Sequence, residues 1–473
     1  MYRKNTFSKD LITVIFSNLI ILLSSVVTGF IVPKLLGVEG YGYYKIFTLY
    51  LSYSALAHMG YVDGVLLQFA GKEYEELSKE KFRRYTAFFF EFQCIIAFFI
   101  IIIALFILRG EYRIIFFMLA IDIVAVNMTA YYQYISQSTM RFLELSIRKV
   151  LFAILKISFV LLMLVCYTIG LTEAVNVNVY IAGLVLIDII LLVWYAITYK
   201  EFSAGKKATY LQCKNDIRNF FKEGIVLTIA YQTTSIIFSL DSQFVSVLYD
   251  TYTYGIYSFA YSLISMVTTV IGAVSFVLFP RLKKLDSKVI INTFPNAMAL
   301  ITIIAVISMV GYYPLSILII SKLSEYIQAL DYLRIIIPGL SLSCCINIIM
   351  FTYYQALNKH QVYFKISLFI LVLAIALNYG FYKIFQDPVA ISIASIITLL
   401  IWYIASEYYF IKNYKTKWIK NFVYMTLSML VFYFVTGYLE SQIIGCFFLI
   451  VYLLISTITL YGSLIKKMVL RKY

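Results

Sequence analysis

Apolar residues run along this chain in blocks of about 20, each closed by a short polar or basic stretch, from the first block at residues 11–32 to the last near the C-terminus. Lipid offers the backbone no hydrogen-bonding partners, so each block is expected to be a helix. Read in order, the blocks predict about 14 helices, at residues 10–33, 41–63, 85–108, 114–138, 147–168, 178–199, 224–248, 252–279, 293–320, 332–357, 362–385, 388–411, 421–439 and 441–464. The fold class this implies is all-α and polytopic.

Composition agrees. Hydrophobic residues make up 62% of the 473 and charged residues 13%, with a mean hydropathy of +0.88, which excludes an ordinary soluble globular protein. No stretch is left over for a separate soluble domain. The first block follows a basic N-terminus, as a secretory signal would, but it is too long, and Pro33-Lys34 stands where a small-residue cleavage site would be. It is expected to be a retained helix. Six cysteines without a CxxC pair and only two histidines, His58 and His360, call for no disulfide framework, metal or cofactor.

Charge then sets an orientation. With the N-terminus placed in the cytoplasm, 31 of the 39 Lys and Arg fall in the inside segments, among them Lys79–Arg84, Lys200–Lys222, Arg281–Lys288, Lys412–Lys420 and Lys466–Lys472. An asymmetry of that size predicts both termini in the cytoplasm and a multi-pass protein of the cell membrane. It also accounts for most of the net charge of +15, so the basicity is not read as nucleic-acid binding. Tyrosines gathered at helix ends, as in 41–44 and 252–261, are expected to form an aromatic belt.

Compared with itself, the chain repeats. Tyr41-Gly42-Tyr43-Tyr44 opens the second helix and Tyr254-Gly255-Ile256-Tyr257 the eighth. Tyr131-Tyr132-Gln133 ends the fourth and Tyr353-Tyr354-Gln355 the tenth. Two matches at a similar offset point to duplication. Six helices separate the copies, so the halves run in the same direction as a parallel pseudo-repeat. The predicted organisation is an N-lobe at 1–199 (helices 1–6), a basic cytoplasmic linker at 200–223, a C-lobe at 224–411 (helices 7–12), and helices 13 and 14 with a basic tail at 412–473.

With those residues in view, the sequence resembles polysaccharide flippases of the Wzx type, in the MATE-like superfamily of multidrug, oligosaccharidyl-lipid and polysaccharide exporters. The resemblance is carried by Pro33-Lys34-Leu35-Leu36-Gly37-Val38-Glu39-Gly40-Tyr41-Gly42-Tyr43-Tyr44 after the first helix, and by Leu240-Asp241 followed by Tyr254-Gly255-Ile256-Tyr257. It implies translocation of an undecaprenyl-pyrophosphate-linked oligosaccharide to the outer leaflet by alternating access. It further implies membrane lipids and a polysaccharide polymerase or glycosyltransferases as partners, and no enzymatic step. The chain departs from the lipid II flippases of the superfamily, which use arginines in the first and eighth helices: residues 11–32 and 252–279 carry no charge here. An ion-coupled multidrug or small-solute antiporter of the same fold is the alternative. A membrane polysaccharide polymerase fits less well, because the outside connections are short.

A charged group at mid-bilayer costs at least about 2.5–3.5 kcal/mol and normally faces a cavity or a partner. The intramembrane candidates are Glu91, Asp122, Lys156, Asp188 and Asp241. Lys156 and Asp188 share one depth on consecutive helices, which fits either a structural ion pair or a substrate-binding lysine tuned by an aspartate. Arg148 and Lys149, one to two turns nearer the cytoplasm, read as topology anchors or as a cationic ladder leading to Lys156. Arg334, near the outer end of the tenth helix, reads as an exit-side ligand or a snorkelling side chain. Asp241 takes the place of Thr28 in the repeat and reads as a coupling or gating carboxylate, with Asp188 beside it in that role, or as a helix-pinning acceptor.

Overall fold

In the computed structural model, which describes residues 2–170, 175–282, 285–439 and 441–470, every regular element is helical. Lys283, Lys284, Arg471 and Lys472, and the side chains of Arg3, Lys4, Lys9, Arg281 and Lys467, lie outside the described residues. The chain forms two units, Met1–Ser239 and Leu240–Tyr473. The first contains α1 (Tyr2–Ser52), α2 (Ser54–Ala57), α3 (Tyr61–Phe69), α4 (Lys79–Phe106), α5 (Gly110–Ser138), α6 (Phe142–Thr168), α7 (Val177–Thr198), α8 (Lys200–Ser203) and most of α9 (Tyr210–Leu248). The second continues through α10 (Thr251–Leu282), α11 (Ser287–Ile307), α12 (Tyr312–Lys322), α13 (Ala329–Cys344), α14 (Phe351–Ala356), α15 (His360–Phe385), α16 (Pro388–Tyr414), α17 (Ile419–Tyr438) and α18 (Gln442–Leu470).

Twelve helical stretches among the described residues are long and apolar enough to cross a membrane. One of them, Leu19–Ala57, has 39 residues, about twice what a bilayer needs. It is broken at Gly37, whose φ of 65° a side-chain-bearing residue adopts only at a cost. Beyond the break Tyr43 meets Tyr112, Tyr50 meets Phe116 and Asn127 reaches Ser54, so the second arm of α1 advances along α5 as a crossing of its own. The apolar blocks predict fourteen helices, and beside the twelve stretches stand the second arm of α1, inside the first of them, and the 32-residue α10.

The second crossing is itself discontinuous. It stops at α2, turns through Met59 (φ 47°) and Gly60 (φ 85°), and resumes as α3. A helix broken inside the membrane must find donors for its freed carbonyls. Asn127 supplies one to Ser54 (3.0 Å) and Gln93 supplies another to Ala57 (3.2 Å), while Asn127 also donates to Gln93 (2.8 Å). Below the break, α3 crosses α9 backbone to backbone. A Cβ placed on Gly224 would lie 1.8 Å from the Gly60 carbonyl oxygen, and one on Gly64 would lie 2.0 Å from that of Phe220. Only hydrogen fits there. The crossing is fastened by the buried Asp63, whose carboxylate accepts the Thr228 hydroxyl, and roofed by Tyr61 stacked 4.7 Å from Phe89 and set edge-on to Phe220.

The basic linker of the sequence reading is held against the start of α4. Arg83 donates to the carbonyls of Glu201 (2.8 Å) and Lys206 (3.1 Å), and Arg84 to that of Ala208 (2.9 Å). Lys79 pairs with Glu201 (2.9 Å), and Lys81 with Asp216 (3.1 Å), which also accepts the Tyr85 hydroxyl (2.5 Å). The Lys79 ammonium, hydrogen-bonded to Glu201, holds that carboxyl below the usual range.

Within the second unit, α13 and α14 form one buried crossing through a π-helical segment, Cys345–Met350. Pro388 opens α16 at a position where its missing N–H costs nothing, and Asp387 caps the Val389 N–H at 2.8 Å. The repeat is visible as a contact made twice. Thr86 on α4 bonds Tyr131 on α5 (3.2 Å), and Thr293 on α11 bonds Tyr353 on α14 (2.9 Å). The repeat tyrosines correct one expectation, because Tyr41, Tyr254 and Tyr257 are buried instead of forming a belt at the lipid interface. In a core with few other polar groups, their rings fill volume and their hydroxyls supply the donors that carboxylates and threonines need.

Candidate functional site

Four elements of the first unit bring charge together inside the membrane-spanning region: Lys45 from the second arm of α1, Asp122 from α5, Lys156 from α6 and Asp188 from α7. Asp122 interacts electrostatically with Asp188 and Lys156, Asp188 with Lys156, and Lys156 with Lys45. No direct ion pair joins Lys156 to either aspartate among the described residues. Its ammonium stands 4.8 Å from the Phe152 ring, and that of Lys45 stands 5.2 and 5.8 Å from the rings of Tyr41 and Tyr44. Aromatic faces hold a cation inside a low-dielectric region without neutralising it. Asp122 is fully buried, and neither carboxylate oxygen has a hydrogen-bond partner among the described residues. The group sets two lysines among two carboxyl groups, and it leaves the half-buried Lys156 without a direct ion pair among the described residues.

Arg148 lies apart from this group. It is 4% exposed and is clamped between α6 and α7 by Glu144 (3.4 Å), the Thr198 hydroxyl (2.7 Å) and the ring of Tyr195 (4.3 Å). Lys149 is half-buried and makes no hydrogen bond or ion pair among the described residues. The structure therefore unites Lys156 with Asp188 but not with Arg148.

Two more of the residues singled out from the sequence sit in the second unit. Arg334 on α13 lays its guanidinium on Gly437 of α17, where a Cβ would come within 2.4 Å of Nη2, and it interacts electrostatically with Tyr312 and Tyr433. Asp241 on α9 is 4% exposed and gathers donors from three helices. One carboxylate oxygen accepts the Ser242 backbone N–H (2.6 Å); the other accepts the Tyr261 hydroxyl from α10 and the Ser395 hydroxyl from α16 (3.1 Å). Tyr257 extends the chain by donating to Tyr261 (3.1 Å), with the two rings stacked at 4.8 Å. The repeat-related Thr28 instead bonds its own helix, at the Ser24 carbonyl (2.9 Å). An ionised Asp241 satisfies all these donors at once. A protonated one keeps acceptor capacity but adds an O–H donor that needs an acceptor of its own within this cluster of donors.

The sequence reading left Lys45 near the outer boundary and did not weigh Asp63 or Glu407 as intramembrane charges. Glu407 on α16 is buried, with one oxygen lacking a hydrogen-bond partner among the described residues. All three lie within predicted apolar blocks, so the criterion that found Asp241 also applied to them. Tyr257, Tyr261 and Ser395 carried no such signal, because hydroxyl residues recur throughout the blocks.

Residues 7–286 match the family described as polysaccharide biosynthesis protein. No curated protein matches the chain. Among solved structures, the chain is similar to the lipid II flippase MurJ in an inward closed conformation, with a TM-score of 0.71 and 16% identity over 96% of this chain and 99% of that one. It is also similar to a mutant of the Vibrio cholerae MATE transporter VcmN, with a TM-score of 0.56 and 14% identity over 88% of this chain and 99% of that one. An inward-facing multidrug resistance MATE transporter of the MOP superfamily gives a TM-score of 0.55 and 14% identity, over 86% and 94% of the two chains. At such identities the structures speak for the fold, and the family match covers more than half the sequence. The chain thus belongs to the polysaccharide biosynthesis protein family and is a multi-pass membrane protein with the fold shared by MurJ and the MATE transporters.

Proposed function

We propose that the protein is a flippase. It moves an undecaprenyl-pyrophosphate-linked oligosaccharide from the cytoplasmic to the outer leaflet of the cell membrane by alternating access, with both termini in the cytoplasm. The observation that carries this reading is the Lys45–Asp122–Lys156–Asp188 group: two half-buried lysines without a direct aspartate on Lys156, in a chain of the polysaccharide biosynthesis family. A diphosphate offers what Lys156 lacks among the described residues, a directly paired anion, and the neighbouring carboxyl groups can then take protons or remain as counter-charges. The lysines act as point charges on flexible stems, which suits a ligand that must be released again. Handing the polymerase or glycosyltransferases an outer-leaflet substrate requires no covalent chemistry.

Deletion of the gene tests this. The expected result is lost surface polysaccharide with accumulation of the undecaprenyl-linked intermediate on the cytoplasmic side. Unchanged surface glycan with no accumulated intermediate overturns it.

Asp241 is the proposed coupling residue. When ionised it ties α9 to α10 and α16 through Tyr261 and Ser395, and on taking a proton it brings a new donor into that cluster of hydroxyls, so protonation and helix packing are linked. Asp241→Asn retains an acceptor but cannot cycle. Normal expression with transport reduced at least tenfold, or no longer responsive to pH, is expected in vesicles, and full pH-responsive transport removes Asp241 from the mechanism. The likeness to MATE transporters favours one second reading, ion-coupled export of small solutes. It predicts dye or drug efflux with no glycan phenotype in the same deletion strain.

A further inference from the structure

Where α16, α17 and α18 meet, on the face that carries the basic loops, the second unit holds a cavity of about 740 Å³. Its size falls in the range of ligand pockets, roughly 300–1,000 Å³. The connection that builds it is only four residues long, 415–418. Lys415 adopts the left-handed conformation (φ 54°) and closes α16 by donating its N–H to the Ile411 carbonyl (2.9 Å), so the chain turns back at once into α17. Lys415, Lys417 and Lys420 line the cavity together with Trp418, while Ile411 and Leu460 give it apolar walls.

Three observations indicate what fits. First, none of the three lysines forms an ion pair with a carboxylate among the described residues. Second, no side chain caps α17, so the first N–H groups of a 20-residue helix remain available at the same rim, where the helix dipole adds positive potential. Third, Trp418, Ile419, Val423 and Leu460 leave the rest of the lining apolar. A soluble anion would make no use of the apolar walls, and an uncharged lipid would make no use of the lysines. An amphiphile with an anionic phosphate uses both, and Trp418 is a residue type favoured at the headgroup level.

We infer that this cavity is a resident site for an anionic glycerophospholipid of the surrounding bilayer. Its phosphate sits on Lys415, Lys417 and Lys420, and its acyl chains lie along Ile411 and Leu460. The bound lipid bridges the end of α16 to the helix pair α17 and α18. Lys420 also extends over the Tyr461 ring of α18 at 4.5 Å, and Tyr461 in turn donates to Asn421 of α17 (2.6 Å), so the phosphate-binding lysine is already built into the contact between the two helices.

The test is native mass spectrometry of the full-length protein offered phosphatidylglycerol or phosphatidylcholine. Three surface lysines give an expected preference for phosphatidylglycerol on the order of 100-fold. The K415Q/K417Q/K420Q variant should lose that preference, whereas Lys412→Gln, a change outside the cavity, should keep it. Val423→Trp fills the cavity without altering charge and should also release the lipid, which separates a built site from general attraction to basic residues. Equal retention by the triple variant and the wild type overturns the proposal, as does wild-type retention by Val423→Trp. Inorganic pyrophosphate displacing phosphatidylglycerol completely would identify a free-anion site and overturn it, and so would a polyprenyl diphosphate held here in preference to phosphatidylglycerol.

Discussion

Gly224→Ala is expected to lower the melting temperature of the purified protein more than any other single methyl addition considered, and to reduce the yield of folded protein. The added Cβ would stand 1.8 Å from the Gly60 carbonyl oxygen and 2.5 Å from the Gly64 amide nitrogen. Both are backbone atoms, so no rotamer change relieves the contact, and α3 and α9 must separate. Ordinary overpacking costs about 1–3 kcal/mol, and here separation also pulls the Thr228 hydroxyl from the Asp63 carboxylate and opens the aromatic core between Tyr61 and Phe220. Gly380→Ala supplies the control, since nothing lies within 4 Å of the position its Cβ would take. It is expected to melt like the wild type. Equal melting of the two variants would show that α3 and α9 do not cross in contact.

Lys156→Glu is expected to abolish transport while leaving the protein in the membrane. The substitution turns a group of two lysines and two carboxyl groups into one lysine and three carboxyl groups, facing the diphosphate of the proposed substrate. A charge-assisted contact is worth about 1.5–3 kcal/mol, so its loss alone lowers transport by roughly 10- to 100-fold, and repulsion adds to that. The check is uptake of a labelled lipid-linked substrate into vesicles, with Lys156→Glu compared against the double variant Lys156→Glu/Asp188→Lys. Recovery in the double variant assigns the pair to local charge balance. Persistent loss with normal folding assigns Lys156 to the substrate itself, and wild-type transport by Lys156→Glu removes it from the site.

The membrane-spanning helices are legible because a run of some 20 apolar residues has little choice in lipid but to form a helix. The break in the second crossing is not legible in the same way. Residues 58–60 contain no proline, and the interruption depends on donors contributed by Gln93 and Asn127, which belong to helices far along the chain. Asp241 could be recognised as anomalous from its surroundings in sequence, but its partners on α10 and α16 could not, since a tyrosine and a serine are unremarkable until the fold aims them at one carboxylate. Pairing Lys156 with Asp188 by depth found half of the charged group. Lys45 and Asp122 joined it only once the reversal at Gly37 and the packing of α5 were known.

The arginines at the head of α4 serve two stages in the life of the chain. In the orientation proposed from the Lys and Arg asymmetry, Arg83 and Arg84 are among the charges that direct the third crossing during insertion. In the folded protein the same guanidinium groups are occupied by the carbonyls of Glu201, Lys206 and Ala208. Topogenesis and tertiary docking therefore share side chains, and a substitution there erases a biogenesis signal and a fastener together. A defect at Arg83 can be assigned to one or the other only by a variant such as lysine, which keeps the charge but not the forked geometry that reaches two carbonyls at once.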